Sequence, residues 1–271
     1  MTDSLTGARL KLLRAREHLE VLGDELAAFR AEEPYRVAHE EKAEGSEHVF
    51  RAQVVKEPPP FLSILIGDAL QNMRSTLEHL AWGLTPQNTR DISKRSIGFP
   101  ICRTSQAFEQ TASNSPSGYD PRSGGMHKIW TMDNKVRAAI HQLQPYYTGR
   151  NDLLILNELA RVDRHQSLRL MGGFNMEVSY GWCKRGTRDP FEMVPADVRE
   201  TRVTFGGDFE HDAVIGHFRF NKPEMEVYFQ VTPYVAFRDE GIARGEHVLR
   251  TLTEMHRHIE RVVIPKLERY F

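Results

Sequence analysis

The stretch from Phe61 to Leu84, FLSILIGDALQNMRSTLEHLAWGL, constrains the fold more than any other part of the sequence. Its apolar residues recur at helical spacing, and the segment EPPPF breaks the chain just before it. The run predicts a helix over 61–84 that is largely enclosed by the rest of the protein. Because the apolar face of this helix needs a partner and other segments also carry apolar stripes, the sequence predicts a helical bundle.

Further segments supply partners for this helix. They are predicted at 4–31, about 133–143, about 151–166 and about 242–269. The first carries one continuous stripe of apolar residues at alternating spacings of three and four. A coiled-coil dimer through this stripe is one alternative, but two of its eight positions are Ala, so packing within one chain is favoured. Pro265 is predicted to kink or end the last helix.

The remaining segments favour strands and loops. The segment 35–55 reads as a β-hairpin, and 85–132 is predicted to be mostly irregular, with GFPIC (98–102) as a short strand. From 167 to 238, β-branched and aromatic residues alternate between Gly-containing turns, which predicts an antiparallel sheet.

The predicted fold class is therefore α+β, a helical bundle built from both termini and the middle and packed with an antiparallel sheet. Residues 1–166 would form the bundle and carry the hairpin at about 35–55. Residues 167–240 would form the antiparallel β region, and 241–271 would return to the bundle as the C-terminal helix.

Charge and cysteine content narrow the class of protein. The sequence has 36 Lys and Arg against 37 Asp and Glu, so no overall basic field indicates nucleic acid or membrane binding. Two cysteines, Cys102 and Cys183, provide neither a disulfide framework nor a Cys-based metal site. No signal peptide and no apolar run of about 20 residues is evident, so we expect a cytoplasmic protein that does not bind membranes.

The helix over 61–84 carries polar residues that need an explanation. Arg74 and Glu78 flank its apolar face as an i,i+4 pair. The opposite stripe consists of Asp68, Asn72, Ser75 and His79. One interpretation is a solvated back face, and the other is a functional site.

The second informative stretch is LLILNELARVDRHQSLRL, 153–170. Asp163 projects onto the same face as the leucines of this segment, and an ionised Asp among leucines is costly unless it is paired. Arg74 is the predicted partner. Asn157 and Arg164 lie on one side of Asp163, and His165 converges on it only if the helix ends near there. A structural ion pair without chemistry is the alternative.

The segment RSTLEH, from Arg74 to His79, resembles the Arg-x4-6-His motif of the HEPN (higher eukaryotes and prokaryotes nucleotide-binding) superfamily. This resemblance implies a helical bundle and a metal-independent ribonuclease of the kind found in toxin–antitoxin and antiviral systems. MRSTLEHLAWGL followed by NELARVDRHQSL is also similar to an uncharacterised family of bacterial proteins with no established activity.

The family's motif would place Arg74 and His79 in the active site. Beside them, Glu78 and Asp163 are the further candidate catalytic residues, and the polar residues near the two helices are the candidate substrate-binding residues: Asn72, Ser75, Asn157, Arg164 and His165. His79 would act as general base or acid while Arg74 would hold the phosphate, with Asp163 fixing Arg74. The protein would need no cofactor. HEPN-like ribonucleases commonly bring two such pairs together across a dimer, so the resemblance implies a homodimer. Arg74 and His79 lie about 140° apart on an ideal helix, so they need a groove, a bend or this second subunit to share one phosphate. RNA and an antitoxin or regulatory protein would be the partners.

Arg250 with His256 has the same kind of spacing as Arg74 with His79 and remains open as the alternative motif. Arg122 with His127 also fits, but it lies in a predicted loop where the spacing carries no meaning. The 12 histidines raise the question of a metal site, but no Glu-x-x-His spacing occurs, so no metal is predicted. The second function class is a non-catalytic binding or interaction protein, in which Arg74 and Asp163 belong to a structural polar network.

Overall fold

A computed structural model describes residues 4–93, 96–115, 117–122, 124–174, 178–186, 198–238 and 241–271. The helices within these ranges are α1 (Ser4–Ala31), α2 (Pro60–Leu84), α3 (Arg90–Ser93), α4 (Ser105–Glu109), α5 (Asn134–His141), α6 (Pro145–Thr148), α7 (Asp152–Asp163), α8 (Val248–His258) and α9 (Ile264–Leu267). The strands are β1 (Tyr35–Lys42), β2 (Glu47–Val54), β3 (Leu170–Phe174), β4 (Ser179–Lys184), β5 (Val198–Val203), β6 (Gly207–Asp208), β7 (Val214–Phe220), β8 (Met225–Gln230) and β9 (Pro233–Phe237). The fold is α+β, as predicted.

Helix α2 lies at the centre of the helical layer. Pro60 provides a preset first turn, and the side chains of Ile66, Leu70 and Leu77 are fully buried. The apolar stripe of α1 packs against it, and the small residue Ala8 brings the backbones close enough for Thr76 to donate to the Ala8 carbonyl (3.3 Å). The central position of α2 follows from the apolar residues that it carries on several faces.

The N- and C-terminal helices pack against each other, as the sequence predicts. The ring of His256 on α8 lies 3.1 Å through Nε2 from the carbonyl oxygen of Leu12 on α1. Farther along, Arg16 and Glu260 form an ion pair between the two ends of the chain. Both terminal helices therefore contribute to one core.

The predicted helix over about 242–269 begins later than expected, and it is interrupted near Pro265, as predicted. Helix α8 begins only at Val248, with the His247 side chain as its N-cap. A wide π turn, Ile259–Val263, then separates α8 from α9. Pro265 explains the interruption, because it lacks an N–H and its ring crowds the preceding turn, which the wider turn relieves.

The strands form three sheets and not the single sheet expected for 167–238. Their orders are β1-β2-β7-β5, β6-β3-β9 and β4-β8, and all the pairings are antiparallel. The predicted hairpin at 35–55 is present as β1 and β2, and β2 pairs with β7 from the later β region. Strand alternation indicates which face is buried but not which strand lies alongside, so the sequence could not give this order.

Two apolar cores result from this arrangement. One lies among the helices, and the other lies among the sheets and is rich in phenylalanine, including Phe50, Phe174 and Phe218. Tyr35, the first residue of β1, packs against both cores. The hairpin thereby connects the helical layer to the sheets.

Candidate functional site

The predicted site residue Arg74 lies on α2 with its side chain almost entirely buried, at 9% exposure. Its Nη2 donates to the carbonyl of Phe99 (2.9 Å) and forms an ion pair with Oε1 of Glu78 (2.5 Å). Its Nη1 is buried and has no hydrogen-bond partner in the described part of the chain. A buried guanidinium nitrogen without a partner is unusual, since burial without a hydrogen bond is unfavourable.

The loop over 98–102 covers this ion pair. The second carboxylate oxygen of Glu78 accepts the backbone N–H of Phe99 (3.1 Å), so Phe99 contacts both charged side chains. A Cβ on Gly98 would lie 2.9 Å from Oε2 of Glu78, which makes glycine the residue that permits this close approach. The predicted strand at GFPIC is wrong: this segment is extended loop whose backbone groups bond side chains.

A buried glutamine holds the same loop from the other side. Gln144 is fully buried, donates through Nε2 to the carbonyl of Pro100 (2.9 Å) and accepts the backbone N–H of Cys102 (3.0 Å). Two loop backbone groups are thus satisfied without a neighbouring strand. The loop is fixed at both ends by side chains that sequence periodicity does not identify.

Two more cations lie near Arg74. Burial lowers the pKa of Arg74; Glu78 opposes this shift, and the positive charge of Arg164 adds to it. Burial also lowers the pKa of Lys128, and the charge of Arg74 lowers it further, against the opposing effect of Glu78. Neither Lys128 nor Arg164 forms an ion pair within the residues that the structure describes.

The charges of this group do not balance. Three cations, Arg74, Lys128 and Arg164, influence one another, and Glu78 is the one carboxylate among the charges that shift the pKa values of Arg74 and Lys128. Burial raises the pKa of the Cys102 thiol, and the neighbouring Lys128 opposes this shift. We call Arg74, Glu78, Lys128 and Arg164 the Arg74 cluster. Its chemistry suits an oxyanion that would supply the missing negative charge.

The predicted contact between Asp163 and Arg74 is wrong, so these two residues do not form one polar network. Asp163 is half-buried and accepts a hydrogen bond from Nε2 of Gln71 (3.0 Å). Its carboxylate lies against Gly67, where a Cβ would come within 2.3 Å of Oδ1. Gly67 and Arg74 are seven residues apart, or about 10 Å along a helix, because α7 crosses α2 nearer its N-terminal end.

His79 is also not brought to the cluster. Its ring packs against α1, where a Cβ on Gly7 would lie 2.9 Å from Nδ1. Arg74 and His79 point to different sides of α2, as the angle of about 140° between them predicts. Within one copy of the chain, the two residues of the Arg-x4-His motif cannot contact one phosphate.

The predicted substrate-binding residues divide between two places. Asn72 donates to the carbonyl of Asp68 (2.8 Å) on its own helix, and Ser75 is half-buried. Because α7 ends at Asp163, three residues earlier than predicted, Arg164 is its C-cap. His165 follows and is exposed, while Asn157 is half-buried within α7. Of this group, Arg164 alone is among the charges that act on Arg74.

The alternative pair Arg250 and His256 is not assembled either. Arg250 is exposed and paired with Glu254 (3.1 Å), whereas His256 is buried against α1. Lys128 is the one cluster member that the sequence did not suggest. It belongs to a short helical turn, Met126–Lys128, in the region predicted to be irregular, and no periodic pattern marks it.

Comparison with protein-family models, curated proteins and solved structures finds no match to this chain. Within the described ranges, no helix is long and apolar enough to cross a bilayer. Nor do three or more His, Cys, Asp or Glu side chains converge as a metal-binding group in that part of the chain. Any functional assignment must therefore come from the chemistry of the cluster.

Proposed function

We propose that the chain is a non-catalytic binding protein whose Arg74 cluster binds a phosphate group. The observation that carries this proposal is the buried Nη1 of Arg74, which has no partner among the described residues. A phosphate oxygen would satisfy this donor, and guanidinium groups bind phosphate with strong, directed hydrogen bonds.

The residues around Arg74 favour the binding of a ligand from solvent. Arg164 is exposed, so it can meet a solvent-borne anion before the anion reaches the buried guanidinium. Glu78 neutralises one of the three cations and leaves a net charge of +2 in the cluster. The two free thiols, Cys102 and Cys183, support the further proposal of a cytoplasmic location.

The proposal is tested by calorimetric titration of the whole chain with inorganic phosphate. Arg164→Ala and Lys128→Ala should each weaken binding about tenfold, the scale of one charge-assisted hydrogen bond. Arg161→Ala is the matched control, because Arg161 is an exposed arginine on the same helix whose charge does not shift the pKa of Arg74. Absence of phosphate binding, or equal weakening by Arg161→Ala, would overturn the proposal.

A second candidate function is the HEPN-like, metal-independent ribonuclease, acting with RNA and regulated by an antitoxin-like partner. The same cations favour it, since Lys128 and Arg164 could hold an RNA phosphate beside Arg74. His79 would then have to come from a second copy of the chain in a homodimer. Cleavage of RNA by the purified chain in the presence of EDTA would favour this candidate over the binding protein.

A further inference from the structure

A groove of about 770 Å³ lies far from the Arg74 cluster in the fold, between the end of α1, the start of β1, strand β9 and the start of α8. Such a volume is typical of small-molecule sites. The apolar side chains that line it are Leu26, Phe29, Pro34, Val231, Val235 and Leu249. A mostly apolar lining binds the apolar part of a ligand by removing it from water. The few polar groups of the lining then fix the orientation of the ligand.

The polar groups of the groove have one excess positive charge. At its rim, Arg36 forms an ion pair with Glu33 (3.3 Å), which leaves both charges satisfied. Arg30, on the last turn of α1, is exposed and forms no ion pair or side-chain hydrogen bond within the described residues. An anion entering the groove would therefore meet Arg30 as a free partner.

A half-buried aromatic pair provides the second polar feature. His247 stacks on Tyr234 with ring centroids 4.8 Å apart, and both residues line the groove. Nδ1 of His247 accepts the backbone N–H of Arg250 (3.4 Å), so a neutral ring carries its proton on Nε2 and can donate. Burial lowers the pKa of His247, and the nearby charge of Arg30 lowers it further, which favours this neutral form.

We propose that the groove binds a small amphipathic carboxylic acid. Its apolar body would lie on the wall formed by Leu26, Phe29 and Val235, and its carboxylate would bind Arg30. The charge complementarity of the rim selects an acid over a neutral amphiphile of the same shape. This site is independent of the phosphate-binding proposal, since none of its residues belongs to the Arg74 cluster.

Decanoate and decanol provide matched probes, because they share a ten-carbon chain and differ in charge. In calorimetric titrations of the whole chain, decanoate should bind and decanol should bind about tenfold more weakly. Arg30→Ala should lower the affinity for decanoate by about the same factor. Lys11→Ala is the control and should leave the affinity unchanged, because Lys11 is an exposed cation on the same helix, α1, that does not line the groove.

Filling the groove tests the site without removing a charge. Gly23 lines the groove, and a Cβ there would meet only Leu249, at an ordinary contact distance of 3.7 Å. Gly23→Phe should therefore keep the fold, which circular dichroism can verify, and abolish binding of both probes.

Three results would overturn the proposal: no binding of decanoate, equal affinities in the wild type and Arg30→Ala, or undiminished binding in a folded Gly23→Phe variant. Should Gly23→Phe fail to fold, the comparison of the two surface variants Arg30→Ala and Lys11→Ala still decides the outcome.

Discussion

Arg74 and Glu78 form an ion pair on α2 in which the arginine side chain is 9% exposed and the glutamate side chain 39% exposed. The positive charge is therefore buried, while the carboxylate that neutralises it lies partly at the surface. The arginine depends on the glutamate, because the other charge that shifts its pKa, that of Arg164, is positive. Such an asymmetric pair responds to mutation differently from an exposed i,i+4 pair.

Glu78→Gln should lower the free energy of unfolding by about 2–3 kcal/mol. Loss of one partner of a buried pair costs roughly 3–5 kcal/mol, and the partial exposure of Glu78 reduces this because water can replace part of the lost interaction. Glutamine has one acceptor oxygen where Glu78 has two, so the change removes the charge and one of the two hydrogen bonds, to Arg74 or to the Phe99 N–H. Urea unfolding of the variant and the wild type measures the difference.

The control for this prediction is Glu254→Gln. Glu254 pairs with Arg250 at the same i,i+4 spacing, but both side chains are largely exposed, so its loss should cost below about 0.5 kcal/mol. In an Arg74→Met background, Glu78→Gln should be nearly neutral, since no buried charge is left behind. Equal costs for Glu78→Gln and Glu254→Gln would contradict the dependence of Arg74 on Glu78.

Asp163→Ala should destabilise the protein by only about 1 kcal/mol, the scale of a single hydrogen bond. The paired, buried Asp163 expected from the sequence would have cost about 3–5 kcal/mol. The lower value follows from its half-buried position and its bond to Gln71.

A substitution at Gly67 tests the position of the Asp163 carboxylate in a second way. Gly67→Ala should destabilise the wild type, because the new Cβ would collide with the Asp163 carboxylate at 2.3 Å. In the Asp163→Ala background, the same change should stabilise α2 by about 1 kcal/mol through helix propensity. A Gly67→Ala effect of the same sign in both backgrounds would show that Asp163 does not occupy this position.

Acidification should destabilise the fold through its buried histidines. Burial lowers the pKa of both His256 and His258 below the ordinary value of 6.5, so the unfolded chain binds more protons than the folded one as pH falls below about 6.5. Stability is therefore complete above that pH and is lost toward the lower pKa values of the folded state. Each histidine contributes at most about 1.4 kcal/mol per pH unit.

The pH dependence can be assigned to one residue with His256→Gln. Glutamine retains an amide that can donate to the Leu12 carbonyl, which His256 contacts at 3.1 Å, but it does not titrate. The slope of unfolding free energy against pH between 6.5 and 5 should fall by up to about 1.4 kcal/mol per unit.

The helices α1, α2 and α7 could be predicted from the sequence because their own residues specify them. The stripe of α1 gave both its ends, and the apolar run after EPPPF gave α2. The contacts between elements could not be predicted in this way. Asp163 was correctly placed on a face toward α2, but the level at which α7 meets α2 depends on packing, which put it beside Gly67 and not Arg74.

The rest of the site depends on groups that no sequence pattern identifies. The loop over 98–102 satisfies Arg74 and Glu78 through the backbone of Phe99, and any residue type has the same backbone groups. Lys128 reaches the cluster from a short turn far away in the sequence. Three of its four members were among the predicted residues, while the two main partners expected for Arg74, His79 and Asp163, lie elsewhere.

His79→Ala separates the two candidate functions. His79 packs against α1 beside Gly7, so a phosphate-binding protein should keep its affinity for inorganic phosphate when this ring is removed. A HEPN-like ribonuclease that uses His79 as general acid or base should instead lose RNA cleavage by about 10²-fold or more. Both measurements are made with EDTA present, and analytical ultracentrifugation establishes whether two copies associate. Unchanged phosphate affinity in a monomer that leaves RNA intact supports the binding protein, whereas loss of cleavage in a dimeric His79→Ala variant supports the ribonuclease.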